Sequence, residues 1–289
     1  MRRLDKRFYP GWLAVPGLAI YIIIFAIPTF VSFYFSMTTW NLRTATFTGL
    51  KNFNTFFSMT STRSALINTI IYAFSTCSLK VVIGLLLASY ICSGIRSGEY
   101  LKCMIFFPTL LGSVTVAVAF DGILNPNGIL NQFLAKFGID AVRWLTNSKY
   151  AMFSCIVVDV WKGLGTATLI YIAGLSSISK TYYEAAAIDG ASPVQNFFKI
   201  TLPLIVPSIN TVLTLSLIGG LRTYEQIYAL TGGGPGYSTE VLGSIIYKLF
   251  SRGSYGLATA GYVIMFVIVS CIVFPLNSFV NKKGEDING

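Results

Sequence analysis

The stretch EAAAIDGASPVQNFFKITLPLI, Glu184 to Ile205, decides the fold. It is a short polar element between two apolar runs, opened by an acid, broken by a glycine and closed by prolines. Thr181-Tyr182-Tyr183-Glu184 fits the S/T-x-x-E capping box, in which Thr181 accepts from the Glu184 N–H and the Glu184 side chain reaches back. The helix so started runs through Ala185 to Ile188 and meets Gly190, a natural C-terminal stop. Ser192-Pro193-Val194-Gln195 is a second capping box, with proline at the first helical position, where its missing N–H does no harm. Phe197, Phe198 and Ile200 give the second helix an apolar face, and Pro203 and Pro207 stand where the next apolar run can bend. The segment reads as a compact helix–turn–helix outside a bilayer. Ala185, Ala186, Gly190 and Ala191 give its first helix little bulk, so another backbone can approach closely. Two readings stay open: a knob seated in a partner's cleft, or a cap packed on its own chain.

The bilayer follows from composition. The 289 residues are 54% hydrophobic and 11% charged, with mean hydropathy +0.68, whereas a soluble chain carries about a quarter charged residues. The net charge of +10 forms no basic patch interleaved with aromatics, which argues against nucleic acid. Crossing the hydrocarbon core takes about 20 apolar residues, and six windows qualify: 12–36, 65–92, 103–124, 150–175, 202–222 and 256–280. The expected fold is therefore an all-α integral membrane protein of about six transmembrane helices. The first window exceeds a signal-peptide core and lacks a clear cleavage site, so it reads as an uncleaved helix. Arg2, Arg3, Lys6 and Arg7 crowd that helix and place both termini in the cytoplasm, with the Glu184 element on the same side.

Beyond these signals, the spacing E-A-A, three residues, G, nine residues, I-x-L-P is met at Glu184, Ala185, Ala186, Gly190, Ile200, Leu202 and Pro203. It resembles the EAA loop of permease subunits in binding-protein-dependent ABC importers. NPNGILN (Asn125 to Asn131), Trp144-Leu145, Trp161-Lys162 and LTGGGPGYSTE (Leu230 to Glu240) extend the likeness over residues 10–281, toward the carbohydrate branch of maltose and glycerol-phosphate permeases. The resemblance implies a tail, first helix and external loop over 1–64, a five-helix permease core over 65–281 and a cytoplasmic tail over 282–289. It implies a subunit of the bacterial plasma membrane forming half of a path for a sugar or oligosaccharide. The partners would be a second permease, two cytoplasmic ATPase subunits that bind ATP and Mg, and an extracytoplasmic binding protein. Glu184, Ala185, Ala186, Asp189, Gly190 and Ala191 would dock on the ATPase, with Thr181, Ser192, Pro193, Ile200, Leu202 and Pro203 shaping the loop. For Glu184 itself, capping partner and ion pair to the ATPase are both open.

Candidate cargo contacts come from residue type alone. Charges within membrane helices are functional candidates by default. Asp159 and Lys162 share a helix face three residues apart and can neutralise each other. Lys80, midway along the second window, faces the bundle or a water-filled path, while Asp121 and Arg222 fall near outer ends and need no special role. Tyr72, Trp161 and Tyr224 are aromatic platforms for a sugar, with Glu225 a hydrogen bonder beside them. The TGGGPGY run (Thr231 to Tyr237) lacks the lysine and Ser/Thr of a phosphate loop, and reads as an external turn-rich loop. Without histidine, a G-x-S-x-G elbow or paired cysteines, no catalytic or metal constellation assembles. The alternatives are a permease of the same class for a non-sugar solute such as a sugar phosphate, and an autonomous secondary transporter. Inverted repeats would favour the second, and none is evident.

Overall fold

A computed structural model describes residues 11–288. Arg2, Arg3, Lys6 and Arg7, on which the orientation argument rests, lie outside the described residues. So do the side chains beyond Lys282.

Among the described residues, four uninterrupted helices are long and apolar enough to cross a membrane: α1 (Trp12–Ser36), α3 (Thr60–Cys92), α7 (Ala151–Ser176) and α13, whose spanning part is Tyr255–Lys282. The other two expected spans are broken. Gly98–Leu110 (α4) is bent by 101° from Ser113–Ala135, the stretch that opens with α5 (Ser113–Leu124). There Leu111 and Gly112 adopt extended backbone, which ends the helical ladder of window 103–124. Between α9 (Pro193–Leu204) and α10 (Val206–Leu221) the chain bends by 66°. Pro207 lies just past this bend, as the prolines predicted, and Phe197–Thr201 ahead of it widens into a π turn. The remaining helices are α2 (Lys51–Ser58), α6 (Ile129–Ala135), α8 (Lys180–Ile188), α11 (Glu225–Thr231) and α12 (Leu242–Ser251).

The chain divides into two compact units. One holds the described residues up to Met59 with Ile246–Ile264; the other holds Thr60–Ile245 with the chain from Met265 onward. In the first, strands β1 (Thr38–Trp40) and β2 (Ala45–Phe47) pair antiparallel, Thr38 opposite Phe47. Asn52 Nδ2 donates to the Ser36 and Thr38 carbonyls at 2.9 and 2.8 Å, locking α2 to the end of α1. Large apolar side chains along α1 are exposed, as a surface solvated by lipid requires.

The second unit is built on α3, which packs along α7 and α10. Ala73, Cys77, Leu217, Leu221 and Val273 form one buried cluster; Ala88, Ala167, Tyr171, Ile205 and Val212 form another. Asn210 of α10 donates to Asn277 and Asn281 of α13, an interhelical link of the polar kind that ties helices in lipid. The glycine run is ordered: Asn68 of α3 donates to the Tyr237 and Glu240 carbonyls at 2.9 and 3.0 Å, and Thr239 Oγ1 donates to Gly234 O at 2.8 Å.

Candidate functional site: a two-helix knob and a polar cavity

The Glu184 element is the expected pair of helices, with one correction at its start. The helix begins two residues earlier than Thr181 and Glu184 predict. Ser179 is the N-cap, its side chain accepting from the Thr181 N–H at 3.4 Å, and Thr181 falls inside the first turn. Two hydroxyl residues lay within reach of the helix start, and the earlier one caps it. Glu184 is thereby released from capping. It is exposed and forms no ion pair or side-chain hydrogen bond among the described residues.

The helix end is the expected one. Gly190 has φ 72°, Ala191 N–H donates to Ala186 O at 2.9 Å and Gly190 N–H to Ala187 O at 3.2 Å. These two bonds define the Schellman motif, whose left-handed residue is disfavoured for any side chain. The Ser192 box is complete: Gln195 N–H donates to Ser192 Oγ at 3.3 Å, and Ser192 N–H to Gln195 Oε1 at 2.8 Å. Tyr183 Oη and Thr201 Oγ1, 2.9 Å apart, then tie α8 to α9. Of the loop-shaping residues, Thr201's neighbours Ile200, Leu202 and Pro203 are half-buried, whereas Ser192 and Pro193 are exposed. Ala185, Asp189 and Gly190 are exposed, Ala191 half-buried and Ala186 buried. Tyr182, Ile188 and Val194 stand out from the pair, with Ile188 87% exposed.

A polar cavity of about 280 Å³ lies in the second unit, between α3, the start of α5, α7, α10 and α11. Of the predicted cargo residues, Lys80, Asp159, Lys162, Tyr224 and Glu225 line it. Tyr72 is fully buried in the core cluster with Val116, Cys155 and Ile227. Trp161 points elsewhere, against Phe120 with ring centroids 5.0 Å apart. The structure brings five of the seven together and leaves these two off the wall.

The local charge pairing is also corrected. Asp159 pairs with Lys80 across two helices, Nζ to Oδ2 at 2.6 Å, and not with Lys162 on its own helix. Lys162 instead donates to Ser113 Oγ at 2.7 Å. Lys80 reaches Asp159 by crossing Gly163: a Cβ there would stand 2.5 Å from Lys80 Cε. The missing side chain makes room for the ion pair. Arg222 lines the cavity too, although its place at a helix end gave it no role by sequence, and so do Gln226 and Ser216. The polar run RTYEQ (Arg222 to Gln226), directly after an apolar helix, was the available signal.

Known proteins bear on this geometry. The model for the inner membrane component of binding-protein-dependent transport systems matches residues 6–283. The multiple sugar-binding transport system permease protein MsmF of Streptococcus mutans is 32% identical, over 96% of this chain and 97% of its own. The trehalose/maltose transport system permease protein MalF of Thermococcus litoralis is 30% identical, over 90% and 89%. A crystal structure of a bacterial alginate ABC transporter, in complex with alginate pentasaccharide-bound periplasmic protein, contains a chain of 26% identity. It superposes at TM-score 0.79 over 99% of this chain and 98% of that one. With broken spans, an ordered two-helix knob and relatives alike over nearly its whole length, this chain belongs to the family of inner membrane components of binding-protein-dependent transport systems.

Proposed function

We propose that the chain is the membrane-spanning subunit of an ATP-driven importer for a sugar or oligosaccharide, forming half of the translocation path and driven through α8. The relatives' named cargoes, multiple sugars and trehalose/maltose, support the cargo class. The observation that carries the mechanism is the knob between α7 and α10. It is rigid, capped at both helix starts and locked at Gly190, yet it exposes Tyr182, Ile188 and Val194. Exposed apolar side chains on a rigid polar element outside the spans fit a protein partner better than solvent. Glu184 has no ion pair or side-chain hydrogen bond among the described residues, and Asp189 caps a helix C-terminus, where the dipole disfavours an acid. Both acids are accounted for by basic residues on a second protein.

That protein, in this reading, is a cytoplasmic ATPase, present twice and binding the ATP and Mg. Closure of the ATPase pair moves α8, and the Tyr183–Thr201 link carries the motion into α9 and α10. A second permease completes the path, and an external binding protein delivers cargo. The core is residues 65–281 and the membrane is a bacterial inner membrane, with both termini and the knob cytoplasmic.

The test separates assembly from coupling. Glu184→Lys reverses a free charge, and Gly190→Val puts a β-branched residue at φ 72°, a backbone cost of about 1–2 kcal/mol. In the reconstituted transporter, both are expected to leave the permease inserted while cutting sugar uptake per ATP hydrolysed. Normal uptake by both variants would remove the docking role.

A further inference from the structure

The polar cavity of the second unit is not electrostatically balanced. Three cations and two carboxylates line it. Asp159 is already held by Lys80. Lys162 has used one N–H on Ser113 Oγ and has two left. Arg222 is exposed and has no ion pair among the described residues. Gln226 is only 3% exposed, lines the cavity, and its Nε2 has no acceptor among the described residues. A buried amide donor without an acceptor is a standing cost unless a ligand supplies one.

We propose that Lys162, Arg222 and Gln226 form an anion subsite selecting cargo that carries a carboxylate or a phosphate on a sugar. This rests on the cavity lying on the cargo path. A neutral sugar presents hydroxyls that each donate as well as accept, so it calls for a wall of mixed character. Here Lys162 and Arg222 can only donate, and the Gln226 amide adds an N–H group without an acceptor among the described residues. Arginine adds a planar fork that matches a carboxylate or phosphate with two parallel bonds. Glu225, the one carboxylate on the wall not held by a lysine, is left to accept from the sugar's own hydroxyls.

The complete transporter in nanodiscs, without binding protein, is titrated calorimetrically with digalacturonate, glycerol 3-phosphate and maltose. One of the two anions is expected to bind about tenfold more tightly than maltose, a lead that shrinks as added salt screens the site. Digalacturonate in the lead marks a carboxylate cargo, and glycerol 3-phosphate in the lead marks a phosphate. Lys162→Met and Arg222→Gln each reduce the anion-to-maltose ratio by about tenfold, which loss of folding alone would not do. Maltose matching both anions, or no anion binding, overturns the subsite. Ser216→Trp, which fills the cavity, is assayed for uptake in parallel. Blocked uptake keeps the cavity on the path even if the subsite fails, and unchanged uptake overturns both.

Discussion

Removing either member of the Lys80–Asp159 pair strands the other in a poorly hydrated place. The two side chains are 11% and 19% exposed, and their charges meet at 2.6 Å. At an effective dielectric of 20, that separation corresponds to about 6 kcal/mol of attraction before desolvation is subtracted. Loss of one partner of such a pair costs about 3–5 kcal/mol, whereas replacing both by apolar residues of similar volume is close to neutral. Lys80→Met and Asp159→Leu are therefore each expected to lower the thermal midpoint of the purified transporter strongly. The double variant should recover most of the loss. The assay is a double-mutant cycle on that midpoint, with uptake read separately because both residues line the cavity. A double variant whose loss equals the sum of the two single losses would refute the coupling.

Other expectations follow from single contacts. Gly163→Ala should push Lys80 off Asp159, at a cost of about 1–3 kcal/mol. In the Asp159→Leu background the same change should cost less, and equal costs in both backgrounds would contradict the crossing of Lys80 over Gly163. Ser192→Ala removes the acceptor of the complete capping box and should destabilise α9 by about 1 kcal/mol. Faster amide exchange at Val194 and Gln195 would register it, and unchanged exchange would count against it.

What the sequence made legible was local or compositional. The spans show in hydropathy because lipid demands long apolar helices, and the Pro203/Pro207 bend shows because proline removes ladder bonds. The break at Leu111–Gly112 stayed hidden, since a window average over 103–124 does not register two extended residues among apolar ones. The Ser192 box was readable because nothing competes with it. At the start of α8, Ser179 offered the same chemistry two residues before Thr181 and took the cap. Spacing along one helix pointed Asp159 to Lys162, but the partner came from another helix, a pairing that only packing of α3 on α7 creates. Arg222 and Gln226 were missed for a similar reason. Their place on a cavity wall depends on where α10 ends and α11 turns back.

The most direct test of the account is recovery of the chain from gently solubilised membranes, with identification of what accompanies it. An ATPase and a second permease are expected in the same complex, with uptake in proteoliposomes that requires ATP inside the compartment matching the cytoplasm. A chain recovered alone and fully active in uptake without ATP would contradict it.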